Sequence, residues 1–417
     1  MIKKQFAVIG MAAVLSQPVI AQEETQQRTP PEAKSGTGDE MRRPWQTQRP
    51  IVTSNAFNPA VSLLLYGTYS RFTKSYQEDI HGFVPAGDAH GATREGLSLQ
   101  GSELVLSSNV DDKFYGSLIL KLEDGKAQVE EAFFQTLGLP QGLTVKGGRF
   151  LSGIGYLNEQ HPHFWDFVDI ALPYRAMLGG NYGDDGVQLR WVAPAPLFVE
   201  FGAEALRGEN FPAAGAAKRG IGARSAFVNL GDDVGLSHSW RAGVARLEAD
   251  AQGRTFEDHA HNEYSFTGKA PLNVANFVWK WAPLRNPAVT NFKFQAEYLQ
   301  RDESGAYTFG SPAQDVRYGA KQSGWYAQAV YQFMPRWRVG ARYDELKGGM
   351  PPVELAGTLL DPEGHKPQRA SVMLDFSNSA FSRLRVQFSH NQTAPKDANE
   401  IYLQYIMSLG AHGAHKF

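Results

Sequence analysis

Cysteine is absent from the 417 residues, which excludes a disulfide framework and thiolate metal centres. A surplus of one charge is missing as well: 41 Lys and Arg face 43 Asp and Glu, a formal net charge of −2. A nucleic-acid binder needs a basic surplus gathered on one face, so that class is excluded. Uninterrupted apolar runs of the ~20 residues that a spanning helix requires are also missing. The mean hydropathy of −0.36 suggests solubility at first sight. That inference fails for a membrane barrel, in which half of each strand faces a wet lumen.

What is present begins with a leader. Met1-Ile2-Lys3-Lys4 is cationic, Phe6 to Leu15 is apolar, and Val19-Ile20-Ala21 is a small-residue exit before Gln22-Glu23-Glu24. This layout predicts a secretory signal peptide over residues 1–21. Residues 22–54 are rich in Gln, Glu, Thr, Pro and Arg and poor in aliphatics. Such a segment cannot offset its ordering entropy by burial, so a disordered periplasmic stretch is expected. Residues 55–417 are expected to form one barrel.

After Asn55, segments of about ten residues alternate apolar and polar, the period of a strand with two different faces. Val187, Leu189 and Trp191 alternate with Gln188 and Arg190; Phe292, Phe294, Ala296 and Tyr298 alternate with Lys293, Gln295 and Glu297. Leu384, Val386 and Phe388 alternate with Arg385, Gln387 and Ser389. Ile401, Leu403, Tyr405, Met407 and Leu409 form one face of a last strand, and the chain finishes in Phe417. Tight turns are expected near 109–112, 139–142, 193–196, 231–233, 282–287, 334–335 and 377–379. Longer polar connections are expected near 70–96, 153–184, 208–222, 250–268, 302–321 and 348–367, with short ones near 124 and 395. Short and long ends alternate, as in outer-membrane barrels with periplasmic turns and outer loops. The count gives an all-β, antiparallel transmembrane barrel of about sixteen strands. Trp191, Phe198, Trp281, Trp325 and Trp337 fall near strand ends, where interfacial girdles sit.

The face assignment turns Glu103, Glu131, Glu200, Glu204, Glu297, Asp344 and Asp375 inward, against Lys121, Arg190, Lys280, Lys293, Arg338, Arg342 and Arg385. The proposed pore lining is drawn from these, and mixed signs argue against a strongly selective filter. The 153–184 connection carries His161, His163, Asp166, Asp169 and Arg175 among aromatics, with a Gly179-Gly180 turn. It is read as a constriction loop folded into the barrel, with an external cap as the alternative. Histidines pair at His161 and His163, His259 and His261, and His412 and His415. With Glu257, Asp258 and Glu263 beside the middle pair, these are candidate zinc ligands. Neither a Gly-x-Ser-x-Gly elbow nor His-Glu-x-x-His occurs, so no enzyme is expected.

Lys146-Gly147-Gly148-Arg149-Phe150, followed by Asp184-Asp185-Gly186-Val187-Gln188-Leu189, resembles the phosphate-selective porin O and P group over roughly residues 97–210. That resemblance implies a sixteen-stranded, trimeric channel. Asn58-Pro59-Ala60-Val61-Ser62-Leu63 and Met407-Ser408-Leu409-Gly410-Ala411-His412 also look similar to proteins labelled zinc-regulated TonB-dependent outer membrane receptor. The reading is therefore a porin-like channel in the bacterial outer membrane for small hydrophilic solutes or ions. Its expected partners are outer-membrane lipid and the barrel-assembly machinery, and its expected assembly is a homotrimer. The alternative is a zinc-linked receptor or metal-uptake protein without a full plug.

Overall fold

The computed structural model describes residues 59–410, apart from 75–79, 85–94, 100, 124, 215–219, 259–260 and 311. The leader over 1–21, the segment over 22–54, and His259, His412 and His415 lie outside the described residues.

Strand formation follows the alternation. The first eight strands are β1 (Ala60–Phe72), β2 (Gly96–Ser98 and Ser102–Asn109), β3 (Phe114–Glu123), β4 (Lys126–Thr136), β5 (Leu143–Leu151), β6 (Gly183–Val192), β7 (Phe198–Leu206) and β8 (Ala223–Val234). The others are β9 (His238–Glu257), β10 (Glu263–Lys269 and Leu272–Trp281), β11 (Asn291–Phe309), β12 (Gln314–Met334), β13 (Trp337–Lys347), β14 (Gln368–Ser379), β15 (Ser382–Gln392) and β16 (Ala398–Gly410). Pro271 sits in the break of β10, where its missing N–H cannot join the ladder. Each strand pairs antiparallel with the next, and β1 pairs with β16 from Ser62 opposite Gly410 to Phe72 opposite Glu400. The barrel is closed with sixteen strands, so no unpaired backbone edge faces lipid.

The two faces separate as the pattern requires. Val187, Leu189, Val386, Phe388, Ile401 and Leu403 are exposed on the outside, whereas Gln188, Arg190, Arg385 and Gln387 are buried inside. Phe198 departs from the expected girdle: it starts β7 on the same side as Glu200 and is buried. The connections expected over 250–268 and 302–321 are also shorter than expected. β9 and β10 run on to Glu257 and from Glu263, and β11 and β12 run on to Phe309 and from Gln314. Their upper ends bury Phe256, Tyr264, Phe266, Tyr307 and Tyr318 in an aromatic cluster with Leu355, Leu359 and Leu360 of the following loop. Packing, rather than polarity, decides the structure there.

The Gly-Arg-Phe and Asp-x-Gly-Val-Gln motifs lie side by side on β5 and β6. Gly148 stands opposite Gly186 and Arg149 opposite Asp185, with Arg149 Nε donating to Asp185 Oδ1 at 2.7 Å. Gly148 has φ +123°, and a Cβ there would lie 2.2 Å from the Ala132 carbonyl oxygen. Only glycine permits that approach.

Replacing Val386→Arg, on the outward face of β15, is expected to cost about 2–4 kcal/mol if this position lies near the bilayer midplane. Equilibrium unfolding in lipid vesicles checks this; an unchanged midpoint would place that face away from lipid.

Candidate functional site: a loop strung across the lumen

The β5–β6 connection, residues 152–182, lies inside the barrel. It carries a short 3-10 turn at Pro162–Phe164 and, further along, a helix, α1 (Leu172–Leu178), whose seven residues are all buried. Gly179 ends α1 in the left-handed conformation at φ 74°, and Gly180 N–H donates to the Tyr174 carbonyl at 3.3 Å. The expected Gly-Gly turn is this helix stop.

The neck of the loop is closed by its own residues. Asn158 Nδ2 donates to the carbonyls of Ser152 (2.7 Å) and Tyr182 (2.8 Å), and Tyr182 N–H donates back to Asn158 Oδ1 at 2.7 Å. One side chain thus joins both ends. Asn181 Nδ2 donates to the carbonyls of Leu157, Asn158 and Gln160. On the near wall, Glu204 accepts from Ser152 Oγ and from Gly153 N–H at 2.9 Å. Arg190 pairs with Glu159 of the loop and with Glu200 at 3.2 Å.

The far wall holds the loop from the other side. Glu297 accepts from Leu157 N–H (2.8 Å), Tyr156 N–H (3.1 Å), Tyr174 Oη (2.8 Å) and Tyr326 Oη (2.6 Å). Asp166 pairs with Lys293 and with Arg338 at 3.2 Å. Asp169 pairs with Arg342 at 3.0 Å and with Arg369, and accepts from Gln387 Nε2 at 2.7 Å. Asp344 accepts from Leu172 N–H at 2.9 Å, satisfying an orphan donor at the start of α1. Backbone carbonyls of the loop receive Arg385 (Trp165), Arg369 (Ile170) and Arg301 (Met177).

Of the residues assigned to the inner face, Arg190, Glu204, Lys293, Glu297, Arg338, Arg342, Asp344 and Arg385 hold the loop. Glu103 and Glu131 meet His161 and His163 beside the loop's descending limb. Arg175 is buried within α1. His261 sits apart, exposed near the tip of the β9–β10 hairpin against Glu257. Sequence reasoning missed Asn158, Asn181, Arg301 and Arg369. The inward phase of β11 and β14 was the available signal for the two arginines; nothing in the sequence marks the asparagines.

Burial shapes the charges of the loop. Burial alone pushes the Asp169 carboxyl up, but Arg342 and Arg369 together outweigh it and hold the carboxyl below its ordinary range. Burial pulls the His161 imidazole down, yet Glu130 and Glu103 overcome that and raise it well above its ordinary value.

Fold and interior define a class, the transmembrane β-barrel of the bacterial outer membrane with an infolded loop. Within it, the chain belongs to the family of an uncharacterized protein from Aquifex aeolicus (strain VF5), with 31% identity over 396 residues, 88% of this chain and 81% of that one. No family profile matches the sequence. Among solved structures, the chain is similar to a loop L8 deletion mutant of OmpT, an outer membrane protein of Vibrio cholerae. The TM-score there is 0.55 at 10% identity, covering 85% of this chain and 100% of that one. An anion-selective porin from Comamonas acidovorans matches with TM-score 0.53 at 12% identity, covering 84% and 99%. OprB of Pseudomonas putida matches with TM-score 0.50 at 12% identity, covering 84% and 94%. At these identities the likeness is one of fold.

Asp169→Asn removes the charge between two buried guanidinium groups and is expected to cost about 3–5 kcal/mol, read from the denaturant midpoint of the folded barrel. Because the Asp169 pKa is lowered on folding, its contribution is present above the unfolded value of about 4 and lost as pH falls through the folded one. Val168 N–H donates to the Gln387 side chain that Asp169 holds, so protection of that amide against hydrogen exchange is expected to persist at about pH 5 and to fail only in stronger acid.

Proposed function

We propose that the chain is a porin-like channel for diffusion of small hydrophilic solutes or ions, with residues 152–182 setting its narrowest cross-section. The observation that carries this reading is the loop itself, laid across a closed barrel whose inner wall bears Arg190, Lys293, Arg338, Glu200 and Glu204. A barrel of this strand number encloses more space than its own side chains fill. Charges of both signs inside a membrane mark a hydrated path more often than a packed core. The loop's own charged residues are Glu159, Asp166, Asp169 and Arg175, a set that gives phosphate no evident preference over other small solutes. As for assembly, a homotrimer is the proposed form; light scattering of the detergent-solubilised protein tests it, and a monomeric mass would remove it.

Single-channel recording of the refolded protein in a planar bilayer tests conduction. Stable ohmic steps are expected from the native chain, and larger ones from a variant in which residues 156–178 are replaced by a short Gly-Ser linker. Silence from both would exclude a channel. Silence from the native chain with steps from the variant would make the loop a plug.

A further inference from the structure

Four acidic and imidazole side chains meet at one point on the inner wall, and a fifth holds them in place. In a regular strand Glu130 and Glu131 would face opposite sides of the barrel. β4 carries a bulge there: Ile119 pairs with Glu131 and Leu120 with Val129, so Glu130 is the extra residue. A bulge of this kind re-aims a side chain. Here it brings Glu130 Oε2 within 3.6 Å of His161 Nδ1, while Glu131 Oε2 lies 3.0 Å from Nε2 of the same ring. From β2, Glu103 Oε2 stands 3.9 Å from His161 Nδ1 and 3.2 Å from His163 Nδ1. The His161 and His163 rings stack with centroids 5.8 Å apart.

The wall fixes two of the three carboxylates by their other oxygens. Leu151 N–H donates to Glu131 Oε1 at 2.7 Å, and Tyr66 Oη lies 3.5 Å from Glu103 Oε1. Glu131 thereby orients the His161 ring: Nε2 faces it, and Nδ1 points toward Glu130 and Glu103. The His161 side chain is only 10% exposed, and its Nδ1 makes no hydrogen bond among the described residues. Carboxylate oxygens gathered around a buried ring nitrogen repel one another and its lone pair unless a positive charge, a proton or a metal ion, sits at that nitrogen.

We propose that His161 Nδ1, Glu103 and Glu130 bind a divalent transition metal of the zinc class, which pins the descending limb of the 152–182 loop to β2 and β4. The three ligand atoms lie within 4.8 Å of one another. Tetrahedral zinc with nitrogen and oxygen ligands at ~2.0–2.1 Å places those atoms about 3.3 Å apart, so binding needs a contraction of less than ~1.5 Å at any pair. Imidazole and carboxylate together suit this metal class, and absent thiols leave no softer competitor. His163, on Glu103, is the nearest side chain able to supply a fourth ligand. Glu131 is a positioning residue, the carboxylate behind a ligating histidine. Lys121 stands opposite Glu103 in the ladder and bonds Glu123 at 2.6 Å. The proposal does not depend on conduction, since binding is read on the solubilised barrel.

The test is titration of the refolded, chelator-stripped protein with zinc by calorimetry and with cobalt(II) by its visible ligand-field bands. One saturable equivalent is expected, with low-coordinate cobalt bands. His161→Gln is expected to abolish that binding. Glu130→Gln, close in shape, weakens it, and Glu131→Gln weakens it by about 10–100-fold while leaving the cobalt ligand set unchanged. Heat-modifiable migration of each variant on gels confirms that the barrel has formed. Absence of saturable binding in the native protein overturns the proposal and assigns a proton to His161. Binding that survives His161→Gln and Glu130→Gln overturns it as well, by moving the metal to other histidines.

Discussion

The interior depends on one constraint: a long loop with paired ends has to find partners on the wall for the polar groups it carries into the barrel. The near wall and the loop's own asparagines take its neck, and the far wall takes its crest through Glu297, Asp344 and a set of arginines. Acids on the wall meet N–H and O–H donors of the loop; cations on the wall meet its carboxylates and carbonyls. Glu159, Asp166 and Asp169 of the loop each have a cationic partner on the wall, which is the condition under which such burial is tolerable. The charges of both signs on the wall are thus consumed locally, as attachment.

That arrangement also explains why the interior is not uniformly polar. Where β11, β12 and β13 face α1, Leu299, Tyr326 and Leu346 join Leu172, Tyr174, Met177 and Leu178 in one apolar cluster, which Ala245, Leu247, Leu272 and Val274 of β9 and β10 extend. A polar wall there would leave the helix's apolar side unburied. The alternation of polar and apolar residues therefore changes meaning along a single strand: it separates lumen from lipid near the tight turns and packed core from solvent near the outer ends.

Much of the architecture was legible in the sequence because period-2 patterning survives wherever the two faces differ. The strand count, the position of the tight turns within a few residues and the inward phase of Arg190, Glu297, Arg342 and Arg385 all follow from it. The outer hairpins were misjudged because Glu257, Asp258, Glu263 and Asp302 resemble loop residues, whereas inward Phe256, Tyr264 and Tyr307 hold the strands together. Long-range pairing was not legible: nothing local says that Asp169 meets Arg369 or that Asp166 meets Lys293. The bulge at Glu130 was also hidden, since two adjacent glutamates fit either a regular strand with one acid toward lipid or a kinked one with both inside.

Asn158 has a consequence for how the molecule is put together. Its bonds join residues 24 positions apart, whereas the ties from Leu157 to Glu297 and from Val168 to Gln387 span 140 and 219 positions. The entropy of closing a chain segment rises with its length, so the neck is the cheaper closure by that measure. Once β5 and β6 are paired, the loop has a defined shape made from its own backbone. The C-terminal strands supply the ties that hold its crest, so the first half of the chain provides a core about which the second half is laid.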